Sequence, residues 1–115
     1  MIISDDIGGY YSLKPIDYRT IVDFRIVRNL HNELNSLTIY FEMRTNSLRS
    51  DKALKYYSDD CRELKIGNVD SLSGIFIEIE PCRSPFFERT RFKVFDSEMS
   101  REIEFLCAGF AIEAS

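Results

Sequence analysis

Few residues in this chain of 115 could carry out catalytic chemistry, because it contains a single histidine, His31. Nucleophilic catalysis by serine or cysteine needs a base, usually an imidazole, held beside the nucleophile by a third group. His31 opens the polar segment His31–Ser36, whose composition is typical of a turn between two apolar segments. We therefore expect His31 to be a solvated turn residue, and we predict that the protein is not an enzyme.

The sequence lacks the usual motifs of metal and cofactor sites. Cys61, Cys82 and Cys107 lie 21 and 25 residues apart, whereas structural zinc sites need four Cys or His ligands at short spacings. Gly8-Gly9 is not followed by the later Gly and the Lys of phosphate-binding loops, and Asp59-Asp60 lacks the spacing of a calcium-binding loop. We predict no metal and no cofactor, and we expect the three cysteines to be reduced.

Carboxylates are the most abundant chemical groups. Glu78 and Glu80 are two residues apart, as are Glu102 and Glu104, so each pair would share one face of a strand. A general acid needs a buried carboxyl group with a raised pKa, and no sequence feature marks one here. Two interpretations remain: a solvated acidic face, or a surface that binds a basic partner.

The charge distribution indicates which class of partner the protein is expected to bind. The formal net charge is −4, and residues 61–115 carry seven basic and ten acidic side chains against eight and nine in residues 1–60. Nucleic-acid binding needs clustered Lys and Arg to neutralise phosphates, so we expect no nucleic-acid partner and instead a basic protein partner. No apolar run approaches the roughly 20 residues of a membrane helix, and the first residues are acidic, so we expect a cytoplasmic protein with no membrane contact.

The N-terminal half of the chain contains two segments that alternate apolar and polar residues, which indicates strands with one buried face. In Thr20–Leu30 the residues predicted to point inward are Val22, Phe24 and Ile26. In Leu37–Thr45 they are Leu37, Ile39, Phe41 and Met43. The two segments are predicted to form a hairpin. The polar stretch Asn46–Asp60 is expected to be a long loop or one short helical turn.

The C-terminal half continues the alternation. A modest strand is predicted over Cys61–Val69, and Ile75, Ile77 and Ile79 are predicted core residues of the next. Pro81 and Pro85 predict an irregular loop, Cys82–Arg89, which contains Phe86 and Phe87. Thr90–Phe95 is predicted to be a strand, and so is Arg101–Ala114, with a β-bulge at Gly109 because its apolar residues change phase there. The segment from Tyr11 to Tyr18 is expected to be a short edge strand or a covering loop.

These elements predict a mainly β protein forming a single domain over residues 1–115. We expect six to seven antiparallel strands in a β-sandwich or a strongly curved, partly closed sheet, with at most one short helix.

The residues most suited to contact a protein partner combine acids of the C-terminal half with exposed aromatic groups. Carboxylates steer a basic partner, and aromatic side chains supply contact area that loses water on binding. Phe76 is predicted to share an outer face with Glu78 and Glu80, and Tyr40 to share one with Glu42. The candidate partner-binding residues are Glu78, Glu80, Asp96, Glu98, Glu102, Glu104, Phe86 and Phe87.

Two segments, FRIVRNLHNELNSLTIYFEM and FKVFDSEMSREIEFLCAGFAIEA, resemble the small β-rich immunity proteins of bacterial contact-dependent inhibition and related polymorphic toxin systems. The resemblance implies a cytoplasmic inhibitor that binds one cognate toxin, often a nuclease, and blocks its active site or an essential surface. Such proteins use many folds, so no set of binding residues follows from it. A basic toxin domain is accordingly the expected partner.

Two alternatives to a toxin inhibitor are retained. A small-ligand-binding β-barrel would need a cavity inside the sheet. An adaptor or assembly protein would use an exposed sheet edge. For the oligomeric state we expect a monomer or a weak homodimer.

Overall fold

A computed structural model describes residues 1–28, 37–45, 51–67, 74–98 and 103–115. These residues contain one short helix, α1 (Ile7–Ser12), a 3-10 turn at Pro15–Asp17, and eight strands. The strands are β1 (Ile2–Ser4), β2 (Thr20–Arg28), β3 (Leu37–Arg44), β4 (Ala53–Ile66), β5 (Ile77–Pro81), β6 (Phe92–Asp96), β7 (Ile103–Cys107) and β8 (Gly109–Ala114). The predicted mainly β class is confirmed, with one strand more than expected. No helix among the described residues is long and apolar enough to cross a membrane.

All strand pairs are antiparallel and form one strongly curled sheet. One half has the order β2–β3–β4–β8–β1, and the other has the order β4–β7–β6–β5. The 14-residue strand β4 belongs to both halves, so the sheet bends along it. At one end the Ile75 N–H donates to the Arg19 carbonyl oxygen over 3.0 Å, which links the chain before β5 to the start of β2. The strongly curved, partly closed sheet is therefore confirmed.

Strand β4 corrects the prediction of a loop over Asn46–Asp60. Residues 46–50 lie outside the described part, but Ala53–Asp60 is strand and pairs with both β3 and β8. Its inward side chains are Leu54, Tyr56 and Ser58, all buried. The alternation of apolar and polar residues is hidden in this sequence, because a polar residue, Ser58, lies on the inner face and an aromatic residue, Tyr57, lies on the outer face.

The bend of the sheet also corrects the predicted bulge at Gly109. The chain does break between β7 and β8, at Ala108, but the register with β4 is the same on both sides of the break, with Asp59 opposite Gly109 and Arg62 opposite Leu106. A bulge would shift that register by one residue. The register shift in this pair lies further along, between Arg62 and Lys65.

Strand β4 and the segment formed by β7 and β8 instead change their inward phase together at the bend. In β4 the buried residues pass from Ser58 to Cys61, and in the last two strands they pass from Cys107 to Phe110. Asp60 has a positive φ of 49°, which turns β4 at this point. The apolar phase change predicted from the sequence is therefore real, but β4 shares it with the β7–β8 segment.

The hairpin of β2 and β3 is confirmed by their antiparallel pairing, while the turn predicted at His31–Ser36 lies outside the described residues. In β3 the predicted inward residues Ile39, Phe41 and Met43 are fully buried. In β2 the prediction is wrong for Val22, which is 51% exposed, whereas Ile26 lies opposite the buried Ile39 and is nevertheless 46% exposed. A bulge between Ile21 and Asp23 turns Ile21 rather than Val22 inward, and Ile26 lies on an outer strand of the sheet.

The predicted inward residues of the second half of the sheet are confirmed. Ile75, Ile77 and Ile79 precede or lie in β5, and Phe92 and Val94 lie in β6; all are buried. They form one hydrophobic cluster with the buried residues of β3, β4, β7 and β8.

The N-terminal segment covers the inner side of the sheet. Helix α1 ends at Ser12, and the chain from Leu13 to Tyr18 packs against the core, so the segment from Tyr11 to Tyr18 is a covering segment and not an edge strand. Asp6 caps the N-terminus of α1, and its side chain accepts a hydrogen bond from the Gly9 N–H over 3.0 Å. Tyr10 is fully buried, donates to the Ile77 carbonyl oxygen, and lies 2.8 Å from the Tyr56 hydroxyl, oxygen to oxygen. The helix thereby connects β5 to β4.

Candidate partner-binding surface

The outer face of the β4–β7–β6–β5 half carries several of the predicted site residues. Glu78 and Glu80 lie on β5, with Glu80 opposite Lys93 of β6. Lys93 lies opposite Leu106 of β7, and Glu104 lies two residues before Leu106 on the same face. Antiparallel pairing therefore brings residues from three separated segments onto one surface, which we call the outer acidic face.

Glu104 is neutralised by neighbours on this face. Its carboxylate lies 2.8 Å from the Lys93 ammonium nitrogen and 3.7 Å from that of Lys65. The side chain is mostly buried, so this ion-pair cluster stabilises the packing of β4, β6 and β7 more than a surface pair would. Little of its charge remains available to a partner.

Glu78 and Glu80 differ from Glu104 because neither forms an ion pair with any residue that the structure describes. Glu80 is exposed and Glu78 is half-buried. Both lie near Tyr11 of α1, where burial raises the pKa of the phenol and the two carboxylates raise it further. Within the described part of the chain, their negative charge at the edge of the outer acidic face therefore has no ion-pair partner.

Phe86 is the most exposed aromatic side chain of this region, with 81% of its surface accessible. It lies in the irregular Cys82–Arg89 loop, as expected, where the Ser84 hydroxyl oxygen accepts hydrogen bonds from the Phe86 and Phe87 N–H groups. Phe87 is half-buried, with the Arg62 guanidinium 5.3 Å above its ring. The loop is thus held locally so that one phenylalanine packs inward and the other projects outward.

Surface clefts lie on two sides of Phe86. One, of ≈ 330 Å³, also includes Lys93, Glu104 and Leu106 of the outer acidic face. The other, of ≈ 400 Å³, includes Phe87 and the buried carboxylate of Asp60. The first cleft makes Phe86 continuous with the acidic strands, so the loop and the outer acidic face form one surface.

Asp60 is not among the residues predicted for the site, and the sequence placed it at the end of an expected loop. It is buried at the bend of β4 and lies within ion-pair distance of Arg62 at 3.3 Å and Arg89 at 3.5 Å. Arg89 belongs to the Phe86 loop, so Asp60 ties that loop to the bend of the sheet. No local pattern could have shown this, because the bend itself brings the two segments together.

The remaining predicted site residues lie elsewhere. Asp96 is fully buried, and its carboxylate accepts hydrogen bonds from the N–H groups of Phe76 at 3.1 Å and Glu98 at 3.0 Å. Glu98 is half exposed, and its carboxylate oxygen lies 4.0 Å from a guanidinium nitrogen of Arg19. Glu102 lies outside the described residues. The structure therefore brings together Glu78, Glu80, Glu104, Phe86 and Phe87, while Asp96 shapes a turn.

Tyr40 and Glu42 belong to the outer face of the other half of the sheet. Glu42 is mostly buried and binds the Arg44 guanidinium at 2.8 Å. The Tyr40 ring lies 5.1 Å from the ring of Tyr57, and Arg25 lies above it at 5.5 Å. These contacts occupy the aromatic and acidic groups with partners from neighbouring strands.

The cysteines favour structural roles. Cys61 and Cys107 are buried reduced thiols, and Cys82 is half-buried. Burial raises the pKa of Cys107 to about 12 and also raises the pKa of Cys61, which keeps both thiols neutral. Among the described residues no group of three or more His, Cys, Asp and Glu side chains could hold a metal ion.

Comparisons with known proteins give one match. The model of the family described as immunity protein PIM8 matches residues 2–113, nearly the whole chain. No curated protein and no solved structure matches the chain.

Proposed function

This chain belongs to the immunity protein PIM8 family, and from that membership we propose that it binds and blocks a basic toxin nuclease. An immunity protein neutralises a cognate toxin, so a toxin partner follows from the family, whereas the toxin's basic character and its nuclease activity are our inference. We place the inhibitor in the cytoplasm, within a bacterial contact-dependent inhibition or related polymorphic toxin system. It acts by occupying the toxin rather than by catalysis.

The observation that supports this proposal most directly is the pairing of uncompensated acids with an exposed aromatic ring on one surface. Glu78 and Glu80 have no described ion-pair partner, and Phe86 projects beside the same face. A nuclease binds a phosphate backbone through Lys and Arg, which such carboxylates attract. Phe86 would supply the desolvated anchor that carries much of the binding energy in protein interfaces.

Binding kinetics with the cognate toxin domain test the proposal. We expect the paired variant Glu78→Gln/Glu80→Gln to associate more slowly than the wild type and to show a weaker dependence on salt, because rim carboxylates act mainly on the association rate. Phe86→Ala should weaken binding by about 2 kcal/mol or more, about 30-fold in Kd, mainly through faster dissociation.

The matched control is Asp17→Asn/Asp51→Asn, which removes two exposed acids outside the outer acidic face. It changes the net charge equally and should bind the toxin like the wild type. Equal effects of both paired variants would mean that only net charge matters. If Phe86→Ala and Glu78→Gln/Glu80→Gln bind the toxin with wild-type kinetics at low and high salt, recognition lies on another surface. A cognate toxin with no nuclease activity would refute the proposed toxin class.

A further inference from the structure

Three strands of the curled sheet have a side that no described strand pairs with: β1, β5 and β2. Strand β1 has only three residues. The free side of β5 is covered by α1, since the Tyr11 hydroxyl accepts from the Ile79 N–H at 3.1 Å and donates to the Ile79 carbonyl at 3.2 Å. Tyr10 likewise donates to the Ile77 carbonyl. Short length and such coverage are the usual ways in which proteins prevent strand addition at an edge.

Strand β2 has neither form of protection in the described structure. It runs for nine residues, pairs with β3 alone, and exposes β-branched side chains on both faces. Val22 is 51%, Ile26 46% and Val27 55% exposed. Phe24 is only half-buried and stacks on Phe41 of β3 with 5.8 Å between ring centres. A long apolar edge of this kind is a template for a strand of another chain.

The charges on β2 indicate which chain that is. Asp23 and Arg25 point to the outer face, where their side chains form an ion pair at 2.9 Å. If a second β2 is placed antiparallel about a two-fold axis at Phe24, Asp23 of each copy lies opposite Arg25 of the other. Opposite charges facing each other across two strands are stabilising, whereas like charges are not. Moving the axis by one residue would place Arg25 opposite Arg25 or Asp23 opposite Asp23.

We infer that two copies of this chain associate through their β2 edges, antiparallel and centred on Phe24. On the inner side of the paired strands the two Phe24 rings meet, with Ile26 of each copy beside them. Such a contact is isologous, as two-fold dimers require. The bulge between Ile21 and Asp23 limits regular pairing to a few residues, so the interface is small and the dimer weak.

Sedimentation equilibrium of the full chain over a concentration series tests the pairing. The average mass should rise from 13.5 kDa toward twice that value. Asp23→Arg and Arg25→Asp each place like charges across the axis and should each weaken dimerisation at least tenfold. The double swap Asp23→Arg/Arg25→Asp restores opposite charges and should dimerise as the wild type does. Asp17→Arg, the same charge change outside this edge, serves as the control and should leave dimerisation unchanged.

The decisive measurement mixes the two single variants. The Asp23→Arg chain and the Arg25→Asp chain carry opposite charges across both pairs, so the mixture should form a heterodimer although each variant alone is largely monomeric. Circular dichroism checks that every variant is folded. A chain that stays monomeric at millimolar concentration, a dimer that neither single variant weakens, or a mixture without heterodimer would each overturn the inference. None of these outcomes bears on toxin binding through the outer acidic face.

Discussion

Two buried carboxylates, Asp60 and Asp96, illustrate how single residues shape this protein. Asp60 lies between Arg62 and Arg89 at the bend of β4, and Asp96 accepts two backbone hydrogen bonds after β6. Asp96 therefore compensates its burial with hydrogen-bond donors, whereas Asp60 has two ion-pair partners but its buried Oδ1 accepts no hydrogen bond in the described structure. Because some of the acidic residues are buried and stabilise the fold, fewer carboxylates are available to a partner than the composition indicates.

Truncation of single side chains tests which face of each strand is buried. Phe41→Ala and Ile77→Ala should each lower the free energy of unfolding by about 2 to 5 kcal/mol, because both side chains are fully packed and leave cavities. Tyr40→Ala, on the outer face beside Phe41, should cost clearly less. Chemical denaturation of the three variants measures this ranking. If Tyr40→Ala were the most damaging, β3 would have its faces exchanged.

At the scale of elements, α1 protects a strand edge as well as covering the core. The Tyr11 hydroxyl satisfies both backbone groups of Ile79 on the free side of β5. A strand edge otherwise presents unpaired N–H and C=O groups. A helix of six residues therefore determines which edge of the sheet is closed, and β2 remains the longest open one among the described strands.

Removal of one hydroxyl group tests this protection. Tyr11→Phe should lower the free energy of unfolding by about 1 kcal/mol, since hydrogen bonds to Ile79 are lost while the ring stays in place. The Ile79 amide should also exchange with solvent faster. Tyr18→Phe is the control, because the described structure shows no hydrogen bond for that hydroxyl group. Equal stability of the two variants, with unchanged exchange at Ile79, would contradict the capping role of Tyr11.

Considered as a whole, the molecule has a filled inner side. Tyr10, Phe41, Tyr56 and Phe105 pack there with little or no exposed surface. The clefts described above instead lie at the surface, two of them beside Phe86. This arrangement favours recognition of a macromolecule over the small-ligand-binding barrel that the sequence left open.

The buried thiols and phenols predict how stability depends on pH. Burial raises the pKa of Cys107 to about 12, and it also raises the pKa values of Cys61, Tyr10 and Tyr56. In the unfolded chain thiols ionise near pH 8.5 and phenols near pH 10. Because the pKa values of these groups are higher in the folded protein, keeping them neutral stabilises the fold. This contribution to stability is complete below about pH 8.5 and is lost progressively as the pH rises toward 12.

Denaturation under reducing conditions between pH 8 and pH 10.5 measures this loss. The free energy of unfolding should fall across that range, and Cys107→Ala should make the fall shallower because one buried ionisable group is gone. A free energy independent of pH over this range, or an identical slope for Cys107→Ala, would show that these groups ionise as readily in the folded protein as in the unfolded one.

The sequence alone determined the strand class and most of the core. Alternation with period two is a property of neighbouring residues, so Ile39, Phe41 and Met43 of β3 and the isoleucines before and in β5 could be assigned to the inner face. The exposed loop around Phe86 also followed locally, from two prolines that end the strand pairing. The change of phase at Gly109 marked the position of the bend.

Only the tertiary structure decided how the bend forms and which acids are available to a partner. Strand β4 and the β7–β8 segment change phase together at Asp59–Cys61 and Cys107–Gly109, and their pairing cannot be read from either segment alone. A Cβ atom at Gly109 would lie 2.8 Å from the Asp59 carboxylate, so a larger residue there would displace that exposed side chain. Glu104 is neutralised by Lys93 and Lys65, which lie 11 and 39 residues away in sequence. Such contacts join distant segments, so they exist only once the sheet has curled.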